Sequence, residues 1–233
     1  MVSVVIVTYN ASATLQKCLD SIYSQTHRNS INIIVIDGKS TDNTVNILNI
    51  NSNQIHYWIS EPDHGIYNAM NKSLSKLDTP WVYFLGADDT LLPEFSDLIE
   101  ELKDPTAIYY GNVMYKGKKC SGYIAPYRQA KLGIFHQSII YPASVFKKYK
   151  YDTAFPIAAD YALNMQLHKD SGYHFEYKDL TIADYNHTGV SATVKDLAFE
   201  KNKSKMIFKN FGFGIWARYM FRKTKALISS KKH

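Results

Sequence analysis

Trp81-Val82-Tyr83-Phe84-Leu85-Gly86-Ala87-Asp88-Asp89-Thr90 is an apolar run, opened by Pro80, that ends abruptly in a glycine and two adjacent carboxylates. A continuous apolar run of this length fits a strand covered on both faces, as in a parallel sheet flanked by helices. Ligands bind at the carboxyl ends of such strands. Neighbouring carboxylates repel one another, and a cleft tolerates them where a cation or a set of hydrogen-bond donors offsets the repulsion. Two readings follow: Asp88 and Asp89 hold a divalent metal, or they start a turn or cap the helix suggested by Pro93 and Glu94.

Working outward, the β-branched run from Val2 to Thr8 predicts a buried first strand, ended by Tyr9 and Asn10. Ser12 or Asn10 is expected to cap a helix from about Ala13 to Ser24, with Leu15, Cys18, Leu19, Ile22 and Tyr23 as its buried stripe. Ile31 to Ile36 predicts a second strand, followed by the polar turn Asp37-Gly38-Lys39-Ser40-Thr41-Asp42-Asn43-Thr44 and a helix through Leu48. Ile55 to Ile59 predicts a third strand, then the loop Ser60 to Gly65 and a helix from Ile66 to Leu77. Strand and helix alternate with short loops, which argues for parallel strands joined by crossovers. After Pro93 the pattern loosens: a helix to Leu102, a strand at Ala107 to Val113, a helix at Ala158 to Lys169, and separate strands at Tyr173 to Tyr177 and Leu180 to Asn186. From Val194 to Ser229 two helices are expected, separated near Phe211-Gly212-Phe213-Gly214.

At 233 residues, with 45% apolar and 21% charged residues, the chain supports one α/β domain with an appendage and excludes general disorder. Cys18 and Cys120 lack metal-ligand spacing, and the first strand begins at Val2, so a reducing cytoplasm is the expected compartment. No segment reaches the roughly 18 to 20 uninterrupted apolar residues of a membrane span. From Lys195 onward eleven Lys and Arg face only Asp196 and Glu200, so a basic tail follows a mildly acidic body.

Acidic residues recur at or just after three predicted strand ends: Asp37, Asp63, and the pair Asp88 and Asp89. Parallel pairing places those ends on one edge, where hard oxygen ligands suit a metal on phosphates and hydrogen bonds to a ribose or base. Neither GxGxxG nor GxxxxGK[ST] is present, so phosphate binding is expected to run chiefly through metal. The lack of a phosphate loop also disfavours a nucleotidyltransferase.

Val4-Val5-Ile6-Val7-Thr8-Tyr9-Asn10, Ile36 to Asp42, Ser60-Glu61-Pro62-Asp63-His64-Gly65-Ile66-Tyr67-Asn68-Ala69-Met70-Asn71-Lys72 and Gly86-Ala87-Asp88-Asp89 resemble, in order and spacing, the successive motifs of family 2 glycosyltransferases. Phe135-His136-Gln137-Ser138, Ile157-Ala158-Ala159-Asp160-Tyr161 and Gly189-Val190-Ser191 continue the resemblance, which covers roughly residues 2 to 191. It implies the GT-A fold, a mostly parallel sheet flanked by helices. The implied domain spans residues 1–193, with a donor half to about 105 and an acceptor half from about 106, and helices over 194–233 follow it. It implies sugar transfer with inversion from a nucleotide diphosphate donor, UDP-linked, to a glycan or lipid-linked acceptor in cell-surface polysaccharide synthesis. Position by position, the resemblance places Thr8, Tyr9, Asn10, Asp37, Asp63, Gly65 and Asp88 about the donor. Asp89 with Asp88 would hold Mg²⁺ or Mn²⁺, His136 and Gln137 would touch the acceptor, and Asp160 would act as general base. Gly86 departs from the commoner form, in which an Asp stands first, so the division of labour between Asp88 and Asp89 stays open. The departure also keeps a catalytically silent nucleotide- or glycan-binding module as an alternative. His64 and His187 stand beside the motifs, either as donor contacts or as structural residues.

In the tail Met206, Ile207, Phe208, Phe211, Phe213, Ile215, Trp216, Tyr219, Met220 and Phe221 alternate with Lys205, Lys209, Arg218, Arg222, Lys223 and Lys225. Such helices suit the surface of an anionic membrane, or they pack an apolar face on the domain with their charges in solvent. No nucleic-acid recognition motif accompanies the charge.

Overall fold

The computed structural model describes residues 1–186 and 194–230, with side chains through Ala226. Strands β1 (Val2–Thr8), β2 (Ile31–Asp37), β3 (Tyr57–Ser60) and β4 (Trp81–Gly86) pair in parallel in the order β3-β2-β1-β4. Their residues alternate between two cores. Val4, Ile6, Ile33, Val35, Tyr83 and Leu85 pack with the helices α1 (Leu15–Tyr23), α2 (Thr44–Ile50) and α4 (Glu94–Glu100). Val5, Val7, Ile34, Ile36, Val82 and Phe84 pack on the other face with α3 (Ile66–Ser73), α6 (Val145–Lys148) and α7 (Ala159–Lys169). Burial on both faces is why these strands read as unbroken apolar runs rather than alternating ones.

Beyond β4 the sheet turns antiparallel. β8 (Ile139–Pro142) pairs with β4, β6 (Ala107–Tyr115) with β8, and β9 (His174–Tyr185) runs parallel to β6. The two-residue β5 (Thr90–Leu91) closes the far edge on β9, and β7 (Lys118–Cys120) forms a hairpin on β6. The sheet is therefore mixed, its parallel half carrying the acidic edge. Residues expected to form two strands, at Tyr173 to Tyr177 and Leu180 to Asn186, form the single β9. The gap between them is an irregularity opposite Gly111, where a Cβ would stand 2.5 Å from the Leu180 carbonyl oxygen. The third strand starts at Tyr57 rather than Ile55, and α3 ends at Ser73 in a 3-10 turn over Leu74–Lys76.

Neither Ser12 nor Asn10 caps α1, which begins after Thr14 without a side-chain cap. Both instead bind the loop after β2. Asn10 Oδ1 accepts the Thr41 N–H at 2.8 Å, and the Ser12 N–H donates to Asp42 Oδ2 at 3.0 Å. Hydrogen bonds from Ser12 and Thr44 hold the Asp42 carboxyl well below the usual range.

Helix α8 (Leu197–Ser230) covers the tail and kinks at Gly212, whose φ of 79° is left-handed, where the sequence predicts a break between two helices. Both arms pack against α5 (Pro126–Leu132) and α7. Phe199, Ile207 and Tyr219 are buried together with Ala130, Ala162 and Met165. The arms are also joined to each other, the Trp216 indole N–H donating to Ser204 Oγ at 3.1 Å. The apolar face thus packs on the domain, while Phe208, Phe213 and Phe221 stay exposed. No helix among the described residues is long and apolar enough to cross a membrane.

Candidate active site

Parallel register brings Thr8, Asp37 and Ser60 level, with Gly86 one step behind, so the polar loops open on one edge. Tyr9, Gly38, Lys39, Pro62 and Asp63 line a cavity of about 370 Å³, within the usual range for small-molecule sites. Tyr9 is 63% exposed there. A Cβ on Gly38 would lie 2.6 Å from Asp63 Oδ2 and 3.4 Å from the Tyr9 ring, so only glycine lets these groups close around the space. The other Asp63 oxygen accepts the Gly65 N–H at 2.8 Å, and Gly65, at φ 104°, turns the chain into α3. His64 is exposed beside it.

Asp37 is wholly buried. Its carboxylate accepts the Ser40 N–H at 2.9 Å, the Ser60 hydroxyl at 2.6 Å and the Ser40 hydroxyl, so the base contact expected of it competes with three donors from its own loops. Thr8 Oγ1 is buried with no hydrogen-bond partner among the described residues. Asn10, expected at the donor, is engaged in joining the two loops.

Asp88 and Asp89 do not cap α4, whose N-cap position is Pro93. They occupy the turn between β4 and β5, closed by the Asp89 N–H donating to the Gly86 carbonyl at 3.1 Å. Gly86 has a physical role there: a Cβ would stand 2.5 Å from Asp89 Oδ2 and 2.9 Å from Asp88 Oδ1, so the two acids converge over the bare backbone. Any larger residue would drive them apart. Asp89 is 1% exposed, and its Oδ1 accepts the Asn186 N–H at 2.7 Å. Its Oδ2 has no partner at hydrogen-bond geometry among the described residues, although the Gln137 side chain lies near enough to favour the charge. Burial pushes the Asp89 carboxyl up to about 7 against these donors, and burial raises Asp88 as well.

A buried carboxylate oxygen without a partner, beside a second acid, fits a divalent cation shared with phosphate oxygens. The described residues contain no cluster of three or more His, Cys, Asp or Glu for an all-protein metal cage.

Asp160 lies in the first turn of α7, partly exposed. The Tyr67 hydroxyl, from α3, donates to Asp160 Oδ1 at 2.6 Å and lies 2.9 Å from the Ile157 carbonyl oxygen. A 3-10 turn, His136–Ser138, connects this carboxylate to the paired acids. Gln137 faces Asp89, while His136 feels the Asp160 charge and is held below its usual range by burial. The His136 ring stacks on Phe84 at 5.4 Å and its Nε2 meets the Tyr151 hydroxyl at 3.0 Å, so it is a packed wall of the cleft. His187, Gly189, Val190 and Ser191 lie outside the described residues.

Tyr67, Asn186 and Asp196 are engaged at this site without having been singled out from sequence. Tyr67 stands inside the quoted Gly65-Ile66-Tyr67-Asn68 stretch, and Asp196 is an acid just before a helix, a capping signal. Asn186 acts through its backbone, which no side-chain pattern marks.

A parallel half-sheet ending in paired acids, with a polar cavity at the same edge and a separate carboxylate on a neighbouring helix, is an arrangement that fits the GT-A class of sugar transferases. The chain belongs to glycosyltransferase family 2, whose model, Glycosyl transferase family 2, matches residues 3–171. A PGL/p-HBAD biosynthesis glycosyltransferase of Mycobacterium bovis is 30% identical over 214 residues, covering 86% of this chain and 83% of that one. Among solved structures, S. aureus TarS superposes with a TM-score of 0.69 at 17% identity, over 90% of this chain and 40% of that one. The chain thus spans less than half the length of TarS. A mannosyltransferase of Pyrobaculum calidifontis, solved with GDP-Man and Mn2+, superposes with a TM-score of 0.61 at 19% identity, over 90% of this chain and 62% of that one.

Proposed function

We propose that this glycosyltransferase moves a sugar from a UDP-linked donor, with inversion, onto a hydroxyl of a glycan or lipid-linked acceptor in cell-surface polysaccharide synthesis. The observation that carries the reading is the division of acids across one cleft: Asp89, buried with a free oxygen beside Asp88, and Asp160, hydrogen-bonded at a helix start. Asp89 and Asp88 would hold Mg²⁺ or Mn²⁺. Bound there, the cation would supply Lewis-acid stabilisation of charge on the departing diphosphate. Tyr9, Gly38 and Asp63 frame the nucleoside end. Asp160 takes the proton of the acceptor hydroxyl as it attacks the anomeric carbon. Tyr67 holds Oδ1 and thereby orients the carboxylate.

The UDP reading draws support from the TarS fragment solved with UDP-GlcNAc, which shares the fold at a TM-score of 0.64. The surface-glycan reading draws on the mycobacterial relative, named for PGL/p-HBAD biosynthesis, and on an archaeal relative from Methanococcus voltae that is named for a dolichyl-phosphate-linked sugar acceptor. A thermal-shift screen of UDP, GDP and their hexosyl and N-acetylhexosaminyl sugars with Mn²⁺ tests it. UDP compounds are expected to raise Tm by several degrees, and a shift by GDP compounds alone would overturn the UDP assignment.

A lipid-linked acceptor places the enzyme at the cytoplasmic membrane face, and α8 offers the contact: Phe208, Phe213 and Phe221 are 52, 68 and 70% exposed among Lys and Arg. Apolar insertion and attraction to anionic headgroups act together on such a surface. The full chain is expected to sediment with anionic but not zwitterionic vesicles, and Phe208→Ser/Phe213→Ser/Phe221→Ser is expected to lose most of that binding. Equal pelleting of the two proteins would remove the membrane role.

A further inference from the structure

Asp196, at the start of α8, is 6% exposed and its carboxylate serves two helices at once. Oδ1 accepts the Phe199 N–H at 2.9 Å, capping α8 itself. Oδ2 accepts the N–H groups of Ile157 at 3.0 Å and Ala158 at 3.1 Å. Those amides lie immediately before α7, whose own N-cap residue is Ala158 and has no side-chain acceptor to offer. Two residues on stands Asp160. From the opposite side Tyr67 reaches both the Ile157 carbonyl and the Asp160 carboxylate. Residues 157–160 are therefore held between α3 of the donor half and the first residues of the tail.

We propose that Asp196 is a positioning residue for the catalytic carboxylate, making the C-terminal helix part of the catalytic unit rather than an appendage to it. The proposal rests on Asp160 being the general base. The family match, residues 3–171, includes Ile157, Ala158 and Asp160 and ends before Asp196. The physical basis is that attack on the anomeric carbon requires the base within hydrogen-bond reach of the acceptor hydroxyl, and a displacement of about 1 Å costs on the order of 100-fold in rate. Without Oδ2 the Ile157 and Ala158 amides must find water, and the start of α7 shifts to let them.

The test uses the full chain. Asp196→Ala is expected to lower kcat roughly 10- to 100-fold, with donor KM and UDP affinity within about twofold. Asp196→Asn, which keeps one acceptor oxygen and the same volume, is expected to fall between and decides the matter if the alanine variant does not fold. Ser204→Ala, which loosens the two arms of α8 without touching α7, controls for tail stability and is expected to lower Tm with kcat unchanged. Unchanged kcat in Asp196→Asn and Asp196→Ala overturns the proposal, as does an equal kcat loss in Ser204→Ala. Asp160→Asn, measured in parallel, separates the two readings: if it retains kcat, the base assignment itself has failed.

Discussion

Asp160→Asn is expected to lower kcat by roughly 10²- to 10⁴-fold while leaving UDP affinity within about twofold. The substitution keeps the volume and the acceptor oxygen for the Tyr67 hydroxyl but removes the basic site proposed to take the acceptor proton. Asp160 lies in the first turn of α7, and the Tyr67 hydroxyl donating to its Oδ1 at 2.6 Å fixes how the carboxylate is turned. The charged and titratable groups around it are the Tyr67, Tyr141, Tyr151 and Tyr161 hydroxyls and His136, whose ring burial keeps neutral. Steady-state transfer and isothermal titration with UDP check the expectation. A loss of UDP affinity matching the loss of kcat would make Asp160 a donor ligand instead.

Asp89→Asn is expected to abolish the Mn²⁺ dependence of UDP binding and to lower transfer by at least about 100-fold, the scale of losing a group that stabilises charge in the transition state. The pH dependence carries its own sign. Burial places the Asp89 carboxyl at about 7, so proton and cation compete for it. Below that pH, Mn²⁺ affinity is expected to fall by up to about tenfold per pH unit. In the metal-free protein the folded carboxyl binds its proton more tightly than the unfolded one. Its contribution to stability is therefore complete below about pH 4 and is lost as pH rises through about 7. In chelator, the Tm of the native protein is expected to drop relative to Asp89→Asn between about pH 5 and pH 8, and Mn²⁺ at the higher pH is expected to restore it. A Tm difference independent of pH would mean that Asp89 is not the titrating group.

Much of the parallel half is legible in the sequence. β1, β2 and β4 lie between two helical layers, so Val4 to Val7, Ile33 to Ile36 and Trp81 to Leu85 are unbroken apolar and aromatic runs that stand out. The acidic edge followed, because parallel strands must end on one side. β5, β7 and β8 are only two to four residues long, too short to show a pattern, and β5 and β8 pair with strands distant in sequence. β9 reads as two strands because its polar Lys178 and Asp179 interrupt the apolar pattern, although the backbone merely bulges there and resumes its pairing. At the site, adjacent acids at a strand end point to Asp88 and Asp89, and the family resemblance points to Asp160, whereas the loop-joining role of Asn10 and the three donors on Asp37 do not show in any spacing.

The sequence by itself determined the strand–helix alternation, the edge on which the carboxylates gather, the break at Gly212 and the membership in family 2. Periodicity, turn chemistry and ordered motifs are local properties, and local properties survive in a linear string. Tertiary structure alone decided which atoms meet. Gly86, which in the sequence looked like a missing acid, is in the fold the gap over which two acids converge. Tyr67 meets a carboxylate 93 residues away, and Asp196 caps a helix start 38 and 39 residues earlier. Such contacts arise because α7 buries one part of its surface with α3 and another with α8, and the polar atoms carried along on those helices then find partners that no sequence spacing announces.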